Sequence, residues 1–189
     1  MPTAQDIPVW DTPVVTGEYE FDVAHTRIGF AARHATVTAV RGQFAEFSGG
    51  VFLDAYEPHR SRVELVVDMA SISTGQQQRD AHLRSPDFFD VGTYPEMLFT
   101  SSTVDHLHGD EFRMTGELTV CGVTRPVSVD CTSQGVARDP FGAQRTGFTG
   151  RAVICRSDFG LTYNAALELG GFLISDEITV ELDVSAVKQ

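Results

Sequence analysis

At 189 residues the chain fits one domain, and its 42% hydrophobic content lets it bury a core, which excludes the intrinsically disordered class. Its 26 Asp and Glu side chains against 14 Lys and Arg give a formal net charge of -12. Such a surface repels phosphate backbones and anionic bilayers, so nucleic acid is excluded as a partner, and an anionic ligand needs a local cluster of arginines.

The chain opens on MPTAQDIPVWDTPVVTGEYE, which has neither a positive leading region nor an apolar run of the secretory type. Pro2, Pro8 and Pro13 deny it regular pairing, so residues 1–15 read as an N-terminal arm that Trp10 docks onto a barrel domain over 16–189. No stretch approaches the ~18 apolar residues of a membrane span. The expectation is a soluble, cytoplasmic protein with no stable membrane insertion.

From Gly17 onward the dominant period is two. In RVELVVDMAS, Val63, Leu65, Val67 and Met69 share one face; in EFRMTGELTV, Phe112, Met114, Leu118 and Val120 do; in ITVELDV, Ile178, Val180, Leu182 and Val184 do. This is the pattern of half-buried antiparallel strands. It gives about eight of them, near 17–24, 27–40, 43–54, 62–70, 96–107, 111–121, 126–136 and 146–157, with a last one near 176–186. Turns fit at Gly109-Asp110 and Gly122-Val123-Thr124. So many regularly spaced strands point to an all-β sandwich or a closed barrel.

The segment STGQQQRDAHLRSPDFFDVGTYPEMLF, residues 73–99, breaks this period. Thr74 with Gln77 fits a capping box, which predicts a short helix from Gly75 to about Arg84. Ser85-Pro86 reads as a second cap with proline at the first helical position, and the next turn directs Phe88 and Phe89 inward. The segment is a helical crossover with one apolar face, a lid.

Taken together, YEFDVAHTRIGFAARH (19–34), GQFAEFSGGVFLD (42–54), ASISTGQQQRDAHLRSPDFFDVGTYPEMLFTS (70–101), GELTVCGVTRPV (116–127) and RSDFGL (156–161) resemble the YceI-like family of lipocalin-like polyisoprenoid-binding proteins. The resemblance covers roughly 16–187. It implies an extended antiparallel β-barrel with a helical insertion, an internal tunnel for an isoprenoid chain such as a polyprenyl diphosphate or a prenylated quinone precursor, no catalysis, and compatibility with a homodimer. Many members carry a signal peptide and act outside the cytoplasm, a placement not carried over here.

The alternation places Tyr19, Phe21, Ile28, Phe30, Phe44, Leu65, Val67, Met97, Phe99, Met114, Phe148 and Ile154 inward. Each is either ordinary core or tunnel wall. As a set, in a chain with 13 phenylalanines and 1 tryptophan, they suit a slot for a branched flexible chain. Around Phe30, the small Gly29, Ala31 and Ala32 leave room beside the ring. His34 shares the parity of Ile28 and Phe30 and joins the candidate wall, as does Phe88. Arg79 and His82 either face a head group at the tunnel mouth or pin the crossover to neighbouring loops; Arg125 and Arg156 carry the same ambiguity. His25, His34 and His82 would form a metal site only if they converged, and His106 and His108 read as a solvated hairpin end. No metal or other cofactor is expected. Cys121, Cys131 and Cys155 form no CxxC pair and read as small buried hydrophobes. No G-x-S-x-G elbow is present. The expected function is binding of a long isoprenoid lipid, as carrier or store. The alternatives are a small enzyme or stress-response protein acting on a hydrophobic substrate, and a solid-core barrel serving as a protein-interaction module.

Overall fold

The computed structural model describes residues 14–35, 37–168 and 173–189. Its strands are β1 (Gly17–Phe21), β2 (Arg27–His34), β3 (Thr38–Phe44), β4 (Phe47–Leu53), β5 (Arg62–Asp68), β6 (Ile72–Ser73), β7 (Glu96–His108), β8 (Glu111–Val120), β9 (Val123–Arg138), β10 (Gln144–Cys155) and β11 (Ile174–Lys188), with a helix α1 (Gln77–Arg84). Neighbouring pairs run in the order β1-β4-β5-β7-β8-β9-β10-β11, and β11 pairs back onto β1. The result is a closed, antiparallel, eight-stranded barrel, a size with an interior just wide enough to be filled by side chains or to hold one ligand.

Three of the short strands extend this barrel at one end. Along one edge of β11, Tyr19–Phe21 lie opposite Ala186–Lys188 and Arg27–Ala32 lie opposite Ile178–Asp183. So β1 and β2 are two halves of one long strand. On the next rows β4 pairs with β1 and β3 with β2, then β5 with β4 and β6 with β3. Three adjacent long strands are each broken at one level, at residues 22–26, 45–46 and 69–71. An aspartate caps two of the breaks: Asp22 accepts from the Ala24 amide at 3.1 Å and Asp68 from the Ala70 amide at 2.8 Å. Side-chain oxygens thus satisfy amides that the sheet ladder drops there.

Several expectations change. The strand read over 27–40 is two: Ala35 takes a left-handed φ of 48° and the chain folds back, pairing His34 with Thr38. Alternation continues through this turn with no Gly, Pro or Asn to mark it. The β8–β9 turn is Cys121-Gly122, with φ of 50° and 72°, the positive-φ pair that tight hairpins favour, so Val123 already belongs to β9. Helix α1 begins at Gln77 under a Gln76 cap, whose side chain accepts from the Arg79 amide. Thr74 does not cap the helix, because its hydroxyl donates to Asp80 at 2.5 Å and accepts from Arg79 Nε at 2.7 Å. After Arg84 the chain makes a turn rather than a second helix, with the Phe88 amide on the Ser85 carbonyl at 3.0 Å. The docking of Trp10 lies outside the described residues. Val14, the first described residue, is buried in the core, and the Val15 carbonyl accepts from the Tyr19 hydroxyl at 2.8 Å.

Candidate functional site

Inward side chains of the barrel meet around a void rather than closing on one another. The cavity measures about 670 Å³, in the range of ligand sites and far above a packing defect. Cross-strand registers build its wall in layers. Leu65 sits opposite Phe99 and Phe99 opposite Leu118; Met114 sits opposite Val129; Phe148 opposite Val184; Ile154 opposite Ile178; Phe30 opposite Val180. All of these side chains line the void. Phe112 and Phe148 meet edge-on, centroids 5.8 Å apart. Such ring and branched side chains leave irregular surfaces that a flexible apolar chain can follow.

Apart from Ser61, Cys131 and Thr149, the polar groups of the wall gather at the end beneath α1. There Arg33, His34, Gln76, Gln78 and Tyr163 line the cavity and are also exposed to solvent, so this end is the mouth. Helix α1 is fastened across it by Arg84, which donates to the carbonyls of Ala70 at 2.8 Å and Ile72 at 2.7 Å. Arg79 donates to the Thr74 hydroxyl and, at 3.0 Å, to its carbonyl. Opposite the helix, buried Arg156 holds the chain after β10: its Nη1 donates to the carbonyls of Leu161 at 2.7 Å and Tyr163 at 2.8 Å, and its Nε to Ser175 at 3.0 Å. The ring of Tyr163 then reaches His82 and Phe88 on the helix side, at 4.9 Å and 5.0 Å between centroids.

The profile of the YceI-like domain family matches residues 19–186. The chain belongs to the YceI-like family. Protein YceI of Salmonella newport is 33% identical over 177 residues, 93% of this chain and 89% of that protein. The YceI protein of Campylobacter jejuni, solved by crystallography, matches at a TM-score of 0.72 and 30% identity, over 83% of this chain and 90% of that one. A polyisoprenoid binding domain from Saccharophagus degradans shares the fold at a TM-score of 0.67 and 17% identity, over 93% of this chain and 100% of that one.

In this YceI-like barrel, Phe21, Ile28, Phe30, His34, Phe44, Leu65, Arg79, His82, Phe88, Met97, Phe99, Met114, Phe148 and Ile154 all face the cavity. Tyr19 and Val67 do not. Tyr19 is inward but lies below the cavity floor, 2% exposed, packed with Val51, Leu53 and Ala55 under Lys188. Burial raises its phenol pKa. Val67 is 0% exposed and fills a second cluster with Phe44, Phe47, Met69 and Ile72. Alternation gives the face of a strand, not the depth at which the void ends. Period-two reading missed Leu161, Tyr163 and Leu173, which line the cavity from the connection between β10 and β11, and Ile174, the first residue of β11. Arg156 was singled out only as flanking a turn; its place in RSDFGL is the signal that could have found it.

The void removes the solid-core reading. The other chemistry weighed on sequence finds no assembled site among the described residues. His25 bonds Asp22 at 2.8 Å and His82 bonds Asp87 at 2.9 Å, on separate elements, and no group of three metal-ligating side chains forms. The Ser85 hydroxyl donates to the His82 carbonyl at 2.7 Å, not to its ring. Cys131 lines the cavity, but burial, then the nearby Asp130 charge, push its thiol up to about 12, so it is no thiolate at neutral pH. Of the other two cysteines, Cys121 and Cys155 are only half-buried. No helix among the described residues is long and apolar enough to cross a membrane.

Proposed function

We propose that the chain binds one long isoprenoid lipid in the barrel cavity, apolar chain inward and head group at the α1 mouth, as a carrier or store. The lipid is a polyprenyl diphosphate or a prenylated quinone precursor. The observation that supports this reading is the apolar void of about 670 Å³, walled by phenylalanine, methionine and branched side chains. The polyisoprenoid binding domain with the same fold agrees with it.

Size and energy are consistent with such a ligand. At roughly 30 Å³ per water-sized unit, the void takes on the order of twenty carbon atoms. Burying each CH₂ contributes about 0.8 kcal/mol, a gross sum near the affinity ceiling of about 20 kcal/mol, and ordering a flexible chain offsets a large part of it. What remains is enough for the lipid to co-purify. Organic extraction and native mass spectrometry of the purified protein test the reading. A prenyl lipid at a stoichiometry near one per barrel is expected. A protein that yields none, and that takes up none at micromolar concentration, sinks the proposal.

A further inference from the structure

The end of the cavity away from α1 carries a hydroxyl that the barrel itself does not satisfy. β4 and β5 run from the strand breaks at 45–46 and 69–71, where Arg84 fastens α1, to the connection over residues 54–61. Val51, Leu53, Val63 and Leu65 along them line the void. Ser61 keeps the inward parity of Val63 and Leu65 and stands beside Leu53 at the end of the β4–β5 ladder. It is 5% exposed and lines the void with them. Of the other polar groups on the wall away from the mouth, Thr149 is exposed to solvent, and the Cys131 thiol turns to the Val129 carbonyl at 3.7 Å.

The oxygen of Ser61 is used and its proton is not. Ser61 Oγ accepts from the Asp54 amide at 2.9 Å, and the Ser61 amide donates to the Pro58 carbonyl at 2.9 Å. Among the described residues the hydroxyl proton has no acceptor. The buried hydroxyl of Thr146, by contrast, donates to the Gly135 carbonyl at 3.1 Å. A buried donor left unpaired is costly, and most buried polar groups avoid that state. The Asp54 contact accounts for a lone pair of Ser61 and leaves the proton without a use. A resident water is poorly held there, since buried waters typically make about three hydrogen bonds and the wall beside Ser61 is Leu53 and Val63.

We infer that the lipid carries an acceptor oxygen at its buried end, a hydroxyl or carbonyl on the terminal isoprene unit, and that this oxygen takes the Ser61 proton. This rests on the isoprenoid reading and names a substituent which that reading leaves open. The length fits: a void that takes on the order of twenty carbon atoms brings the last unit of such a chain, entering at the mouth, to the level of Ser61. A plain chain covers the Ser61 hydroxyl and leaves its proton unpaired, whereas an oxygenated end pairs it. The apolar wall above contributes equally to both, so Ser61 discriminates between chain ends.

Geranylgeraniol and its ω-hydroxy derivative, which differ only by a hydroxyl on the terminal unit, test this. With no partner inside the barrel the added hydroxyl weakens binding, because burying it unpaired is unfavourable. With Ser61 as partner, the hydroxy lipid is expected to bind at least about fivefold more tightly than geranylgeraniol. Ser61→Ala is expected to reverse that order, since the lipid hydroxyl loses its donor and the plain chain no longer covers an unpaired one. Ser61→Thr keeps the hydroxyl and is expected to keep the preference. Ser133→Ala removes a buried hydroxyl that does not line the cavity, and it is expected to leave the preference in place. Equal or weaker binding of the hydroxy lipid by the unaltered protein overturns the inference and leaves the isoprenoid reading standing. A preference that persists in Ser61→Ala overturns the assignment to Ser61. If Ser61→Ala does not fold for want of its Asp54 contact, Ser61→Thr and the sign of the preference in the unaltered protein decide. Failure of both lipids to bind overturns the isoprenoid reading and this inference with it.

Discussion

The ring of Tyr163 meets the His82 imidazole edge-on, centroids 4.9 Å apart and planes at 84°. Phe88 completes the group, edge-on to His82 at 5.0 Å and tilted against Tyr163. These three rings bridge the mouth between the helix side and the connection after β10. The helix side is fastened to its own sheet by Arg84 and Arg79, so the ring contact is the part that must yield when a lipid passes. Tyr163→Ala is therefore expected to speed lipid release about tenfold, since aromatic pairs contribute roughly 0.5–1.5 kcal/mol each. The folded state should lose less than about 1 kcal/mol, because Tyr163 is 40% exposed and its carbonyl contact to Arg156 survives. Stopped-flow displacement of a fluorescent prenyl lipid measures the rate. An unchanged rate removes Tyr163 from the exit path.

The adjacent Phe88 and Phe89 divide the work of the crossover. Phe89 packs against both hydrophobic clusters, and its carbonyl accepts from the Cys121 thiol at 3.4 Å. Phe88 packs among the mouth rings. Phe89→Ala is expected to cost about 3 kcal/mol, the scale of a truncated core aromatic. Phe88→Ala is expected to cost about 1 kcal/mol and to act mainly on lipid binding. Urea denaturation of both variants checks this, and equal losses would show that the two rings share one environment.

What was legible in the sequence follows the physics of each element. β5, β8 and β11 alternate cleanly because one face of each strand meets the interior and the other meets solvent. Leu65, Met114 and Val180 were therefore readable from parity alone. The turn at Ala35 was not, since a left-handed alanine leaves no signature in composition. Nor was the cap at Gln76: Thr74 looked better locally, but its hydroxyl is taken by Asp80 and Arg79. The mouth was half legible. Arg79 and His82 stood out in the crossover, while Tyr163 and Arg156 enter through a connection with no periodicity, and only the long-range closure of β11 onto β2 brings them there. Strand alternation likewise could not tell Tyr19, below the void, from Phe148, on its wall.

Acid should loosen the barrel where its long strand is broken. Asp22, at the break between β1 and β2, accepts from the Arg145 guanidinium, which also donates to Asp139 at 3.0 Å. The hydrogen bond from Arg145 holds the Asp22 carboxyl below its ordinary value of 3.8, with His25 adding to it and burial opposing. A carboxyl depressed in the folded state stabilises fully above its unfolded pKa, and the contribution is lost as pH falls through the folded value. The melting temperature should thus hold from neutrality to about pH 5 for this group and fall below about pH 4. Arg145→Gln should melt lower at neutral pH and lose less on acidification. Melting curves of the two proteins that stay parallel down to pH 2.5 would show that this pair does not carry acid sensitivity.

The position of Phe30 tests whether the void is a binding bore. Its ring lies over Gly42 on the paired strand: a Cβ built on Gly42 would come within 2.3 Å of Phe30 Cζ and 2.9 Å of Thr74 Cγ2. The room for the ring is therefore made across the pair by Gly42. It is not made by Gly29, whose Cβ direction is occupied by the Arg27 guanidinium at 2.6 Å. Phe30 also leans on Phe44, centroids 5.7 Å apart, and presents its free edge to the cavity. In a filled core, Phe30→Trp would overpack and destabilise by about 1–3 kcal/mol. Beside a void the larger ring has somewhere to go, so the apo melting temperature should stay nearly unchanged. The added ring then narrows the bore just below the mouth, and polyprenyl lipid binding should weaken at least about tenfold. Gly42→Val pushes the native ring the same way and should reproduce the loss of binding, with a larger loss of stability because the strand pair must also adjust. Unchanged lipid affinity in Phe30→Trp, alongside a large fall in melting temperature, would place Phe30 in packed core and move the bore elsewhere.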